Sequence, residues 1–208
     1  MHLYDSNFPS GNTYKVELLL AFLKIPYQTS TLDILTTPSE TRSPEFLKLN
    51  PHGQIPVLVL DDGTPLRQSN AILVHLAEGT KFLPTDKLTR TRIWEWLFFE
   101  QNSVEPQVAV WKYRTYWGGF EDQSESDKER MKAKGQVAID VMEQHLGDKE
   151  WFVGAGVTIA DIALYVYVVS AEVTGFSIGE NVKAWLKRVE SEKGYVRIKR
   201  DPTGKNPW

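Results

Sequence analysis

The hydrophobic periodicity of this chain changes once, near Lys81, and that change limits the folds open to it. Before it, short apolar runs of strand type alternate with helical patterns. After it, only helical patterns remain. "HLYD" (2–5) reads as a first strand, followed by the turn-forming loop "SNFPSGN". Val16, Leu19, Leu20 and Leu23 recur at helical spacing, which predicts a helix from Tyr14. "PYQTSTLDI" (26–34) is a second strand. "TTPSETRSPEFLKLNP" (36–51), punctuated by Pro44 and Pro51, is expected to be a loop with one helical turn. Asp62-Gly63 between two short runs signals a hairpin. Ser69 then stands as N-cap of a helix with Ile72, Leu73 and Leu76 on one face. The order β-α-β-loop-β-β-α implies a parallel pair and an antiparallel hairpin in one α/β domain, residues 1–80.

Residues 81–86 read as a linker, and 87–208 as an all-α domain. A helical pattern covers 90–117, with Pro106 expected to kink or interrupt it. An amphipathic helix ends at Gly147. "TIADIALYVYVVSAEV" (158–173) is nearly all apolar and reads as buried, with Thr158 and Asp161 as its capping box. "NVKAWLKRVESEK" (181–193) is the last helix, and the basic "YVRIKRDPTGKNPW" (195–208) reads as a solvated tail.

Composition narrows the chemistry. The 208 residues carry a net charge of −3, too mild to form an electrostatic footprint for nucleic acid. There is no cysteine, hence no disulfide framework, thiolate metal site or cysteine nucleophile. His2, His52, His75 and His145 do not pair at metal-ligand spacing, so no metal is expected, and His75 reads as structural. The start "MHLYDSNFPSGN" lacks the pattern of a signal peptide, and no apolar run reaches the roughly 20 residues of a membrane span. A cytoplasmic protein is the expectation. Most of the seven tryptophans, Trp94 and Trp96 included, are assigned to core packing.

Three stretches carry candidate chemistry. Ser10, in the loop before the first helix, either caps that helix or turns its hydroxyl to an anion at the helix N-terminus. The Asn12 amide could do the same. In "RQSNAIL", Ser69 and the free amides of a helix start suit a ligand carboxylate, and Gln68 could accept from an ammonium group. In "NPHGQIPVLVL", Pro56 stands at the head of a strand, where it cannot donate to the ladder.

Together, "LYDSNFPSGNTYKVELLLAFLKIPYQ", "SPEFLKLNPHGQIPVLVLDDG", "LRQSNAILVHLAE" and "TIADIAL", in this order and spacing, resemble the cytosolic glutathione transferase superfamily, in particular bacterial-type or theta/nu-like members with serine at the catalytic position. The resemblance covers essentially the whole chain. It implies a thioredoxin-like N-terminal domain followed by a helical C-terminal domain. Pro56 looks like the cis-proline of that fold, which leaves the Ile55 amide and carbonyl to pair with the cysteinyl backbone of glutathione as an added strand would. Gln68 and Ser69 match the pair that holds the γ-glutamyl end, and Gln54 the polar position beside the docking edge. Thr41 or Arg42 would reach the glycyl carboxylate. Ser10 matches the catalytic position, with Asn12 as rival; Tyr4, on the first strand, is a poorer match.

The implied mechanism is thiolate activation. A free thiol titrates near ~8.5. A hydroxyl or amide donor at a helix N-terminus lowers that value, and the thiolate attacks an electrophilic carbon. A small hydrophobic electrophile is expected between the domains, with Trp111, Tyr113, Tyr116 and Trp117 as candidate walls. Detoxifying conjugation by a homodimer follows from the resemblance. Two alternatives stay open: disulfide reduction or peroxidase chemistry in which bound glutathione supplies the sulfur, and a non-catalytic ligand- or protein-binding role.

Overall fold

A four-stranded mixed sheet organises the first part of the chain in the computed structural model, which describes residues 1–198. Its order is β2-β1-β3-β4, with β1 at His2–Ser6, β2 at Gln28–Leu32, β3 at Val57–Val59 and β4 at Pro65–Arg67. β1 and β2 run parallel, while β3 is antiparallel to both β1 and β4. The Asp62-Gly63 signal is the β3–β4 hairpin: Gly63 takes φ +85°, and Asp62 Oδ1 accepts from the Thr64 amide at 2.9 Å. This thioredoxin-like sheet carries α1 (Gly11–Leu23), α2 (Pro44–Leu49) and α3 (Ser69–Ala77). Leu3, Val57 and Leu58 of the sheet and Leu18, Leu19, Leu20, Ile72 and Leu73 of the helices have no exposed surface.

Three local expectations shift. α1 starts at Gly11 rather than Tyr14, because Ser10 caps it and accepts from the Thr13 amide at 3.3 Å. The Pro-punctuated loop holds a 3₁₀ turn at Glu40–Arg42 and the six-residue α2, capped by Ser43 with Pro44 at its first position. Residues 193–198, the described part of the chain after 192, do not leave as a free tail. Residues 193–198 belong with Met1–Ala77, where the Val196 carbonyl accepts from the Tyr14 hydroxyl at 2.7 Å and Ile198 is buried. The rest of the expected basic tail, 199–208, lies outside the described residues.

Glu78–Glu192 form a second, all-helical unit: α4 (Lys87–Phe99), α5 (Val110–Trp117), α6 (Glu125–His145), α7 (Ile159–Val168) and α8 (Glu180–Ser191). The interruption expected at Pro106 takes the form of a π-helical stretch, Glu100–Ala109, that joins α4 to α5 without a break. Proline lacks an N–H and crowds the carbonyl one turn back, and a wider helix relieves both conflicts. α6 ends at His145, two residues short of the glycine expected to stop it.

α7 is buried at every position and forms the axis of this unit. At its start, Asp161 Oδ2 accepts from the Thr158 amide and hydroxyl, both at 2.9 Å. Its Oδ1 accepts from the Phe152 amide at 3.1 Å and Trp185 Nε1 at 3.0 Å. Trp151 and Trp185 are core residues, but of the two tryptophans assigned to the core by number, Trp94 is 41% exposed on α4 and Trp96 is only half-buried, so that assignment fails for Trp94 and holds only in part for Trp96. His75 is likewise exposed on α3 rather than structural.

Candidate functional site

The first unit brings two helix N-termini together. Ser10 precedes α1 and Gln68 precedes α3. Gln68 adopts φ +68°, a left-handed conformation that costs a non-glycine residue about 1–3 kcal/mol. That backbone turn makes Ser69 the first residue of α3 instead of its cap, correcting the capping expectation. The Gln68 carbonyl takes the Ile72 amide at 3.0 Å. The Ser69 hydroxyl, 6% exposed, turns toward α1 and donates to Asn12 Oδ1 at 2.7 Å.

The same cluster holds a residue that the sequence reading passed over. Lys15, on α1, has no exposed surface. Its Nζ donates to Asn12 Oδ1 at 3.2 Å, Asn70 Oδ1 at 3.3 Å and Ser69 Oγ at 3.4 Å. The signal was available, since Lys15 lies one turn before Leu19, on a face the apolar spacing already marks as buried. Asn12 thus accepts twice through its oxygen, while its Nδ2 has no hydrogen-bond partner among the described residues. Ser10 Oγ serves as the α1 cap, and its own proton stays available.

The edge at β3 completes the arrangement. The Ile55–Pro56 peptide is cis, Pro56 is buried, and the β3 ladder begins only at Val57. The Ile55 amide and carbonyl bond to no described residue. Val57 pairs with Arg67, so continuing that register sets Ile55 opposite Ser69. Gln54 is exposed, and its carbonyl accepts from Asn50 Nδ2 at 2.7 Å.

Of the two loop candidates, Thr41 is buried, with its hydroxyl 2.9 Å from that of Ser39. Arg42 is exposed and donates to the His52 carbonyl at 3.2 Å. It lies so close over Gly53 that a Cβ there would stand 2.7 Å from its Nη1.

The aromatic candidates all sit on α5, in the helical unit. Trp111 Nε1 donates to the Thr174 carbonyl at 3.0 Å, and the Tyr116 hydroxyl to the Val173 carbonyl at 3.2 Å. Tyr113 is 48% exposed and lies against Trp117, ring centroids 5.8 Å apart. Lys112, beside them, is pushed down to about 7 by burial. None of the four rings lines the cavity of about 770 Å³ in this unit, whose walls include Trp96, Phe99, Trp151 and Phe152. Among the described residues no cluster of three potential ligands could hold a metal, and no helix is long and apolar enough to cross a membrane.

Comparison with known proteins gives the family of the chain. Residues 9–78 match the family described as "Glutathione S-transferase, N-terminal domain", and 97–193 its C-terminal domain counterpart. A Pseudomonas aeruginosa protein named maleylacetoacetate isomerase is 30% identical over 183 residues, covering 86% of this chain and 84% of the relative. The crystal structure of a glutathione S-transferase from Pseudomonas fluorescens Pf-5 is 40% identical with a TM-score of 0.88, covering 94% of this chain and 97% of that one. Ure2p in complex with glutathione is 26% identical with a TM-score of 0.82, covering 93% and 95%.

Proposed function

Because the chain belongs to the glutathione S-transferase family, we propose that it binds glutathione on its first unit and activates the thiol for attack on an apolar electrophile. The observation that carries this reading is the Ser69–Asn12 hydrogen bond, which ties the N-terminus of α3 to that of α1. One helix end then serves the carboxylate of the γ-glutamyl group and the other the sulfur. Gln68 accepts from the γ-glutamyl ammonium group. The unbonded Ile55 amide and carbonyl pair with the cysteinyl backbone, with Gln54 alongside. Arg42, rather than the inward-turned Thr41, meets the glycyl carboxylate.

Ser10 and Asn12 both lie at the α1 N-terminus, where the helix dipole and a donated hydrogen bond lower a thiol pKa. The electrophile is small and apolar, and aromatic side chains of the kind that α5 carries (Trp111, Tyr113, Tyr116 and Trp117) suit such a molecule. The chain works as a homodimer, as its family membership suggests.

Purified protein assayed with glutathione and aryl halides, and in parallel with glutathione and model disulfides, tests the chemistry. Conjugation of the halide, lost on replacing both Ser10 and Asn12 with alanine, is the expected result. Turnover of disulfides alone would move the assignment to reduction through the bound glutathione sulfur. Neither activity in protein that binds glutathione would leave a binding role.

A further inference from the structure

Resting on that reading of the glutathione site, we propose that Lys15 is a positioning residue that turns the Asn12 side chain so that its amide nitrogen faces the glutathione sulfur. An asparagine side chain can present either its oxygen or its nitrogen, and the hydrogen bonds around it decide which. At Asn12 the oxygen is claimed twice, by the Lys15 ammonium and by the Ser69 hydroxyl. Both are donors from inside the unit, so the nitrogen is directed away from them. Asn12 is half-buried at the second position of α1, and its Nδ2 has no partner among the described residues.

The ammonium is the stronger half of the clamp. It is wholly buried, and it donates to Asn12, Ser69 and Asn70. A flipped Asn12 would set its NH₂ against the Lys15 ammonium, which has three donors and no acceptor to offer it. Lys15 therefore acts on the sulfur through Asn12, without touching the ligand.

The test is the ionisation of bound glutathione, followed by thiolate absorbance near the far-ultraviolet edge as pH is varied. Wild type, Lys15→Met, Lys15→Arg, Asn12→Ala and the Lys15→Met/Asn12→Ala double variant are compared, with circular dichroism as the folding check. Lys15→Met removes the charge at similar volume. It is expected to raise the apparent thiol pKa by about one to two pH units. Asn12→Ala should do likewise, and the double variant should add little to either, since both changes break one arrangement. Lys15→Arg should recover much of the wild-type value.

If Lys15→Met does not fold, Lys15→Gln carries the same test with the same expected direction. An unchanged thiol pKa in a folded, glutathione-binding Lys15 variant overturns the proposal while leaving the transferase reading intact. So does a loss of affinity with no change in pKa, or full additivity in the double variant. Wild-type protein that does not bind glutathione removes the site itself, and the proposal with it.

Discussion

Replacing Asp161 with alanine tests how much of the helical unit depends on one carboxylate. The side chain has no exposed surface, and four hydrogen bonds converge on it at 2.9–3.1 Å. Alanine strands the Phe152 amide, the Thr158 amide and Trp185 Nε1. Those residues are 2%, 3% and 0% exposed, so water is poorly placed to replace the carboxylate. At about 1–3 kcal/mol for each stranded donor, and with some relaxation, the loss is roughly 3–6 kcal/mol. A domain of this kind is stable by about 5–15 kcal/mol in total. Asp161→Asn keeps the shape and one oxygen but sets an NH₂ against one donor pair, so it should cost about half as much.

The pH dependence has a definite sign. Burial pushes the Asp161 carboxyl above its usual range, against the pull of its four hydrogen bonds. The folded chain then keeps a proton that the unfolded chain has lost. This group's contribution is full below the unfolded pKa and is lost as pH rises through the raised folded pKa. Asp161→Asn has no such titration, so the stability gap between wild type and this variant should narrow as pH rises through that window. Urea unfolding followed by far-ultraviolet circular dichroism at a series of pH values measures both effects. A loss below about 1 kcal/mol in Asp161→Ala, or a gap that widens with pH, would refute the reasoning.

Three further perturbations follow from the same structure. Gln68→Gly should hold stability or raise it by up to ~1 kcal/mol, because glycine accepts φ +68° without strain. Glutathione affinity should fall, and unfolding midpoints with calorimetry separate the two. Gly53→Ala combines φ +61° with a Cβ 2.7 Å from Arg42 Nη1, so it should cost about 1–2 kcal/mol. By displacing Arg42 it should weaken glutathione binding several-fold, leaving the thiol pKa alone. Lys112 binds its proton less tightly folded than unfolded, so stability should rise with pH from about 7 toward the ordinary lysine range. Lys112→Met should flatten that rise in denaturation curves taken across the window.

What the sequence disclosed, and what it withheld, divides by the range of the interactions involved. The β3–β4 hairpin was legible because Asp62-Gly63 encodes its turn within four residues. The Thr158–Asp161 pair was legible because a capping box is local too. The buried α7 announced itself through ten positions with hardly a polar side chain. Ser69 misled because its local context reads as a cap, whereas its hydroxyl answers to Asn12, 57 residues earlier. Lys15 went unread because charge alone suggested exposure, although its helical phase did not. Trp94 shows the converse: a large aromatic side chain carries no mark of which side of α4 it occupies. Pro106 promised a disruption, but only the surrounding helix could decide between a kink and the wide stretch that forms.

Titration calorimetry with glutathione, on wild type and on the Gln68→Ala/Ser69→Ala double variant, addresses the central claim most directly. Binding in the millimolar range or tighter, abolished in a double variant that remains folded by circular dichroism, is the result predicted by a site built on the N-termini of α1 and α3. No binding heat from folded wild-type protein at high glutathione, or undiminished binding by the double variant, would contradict it.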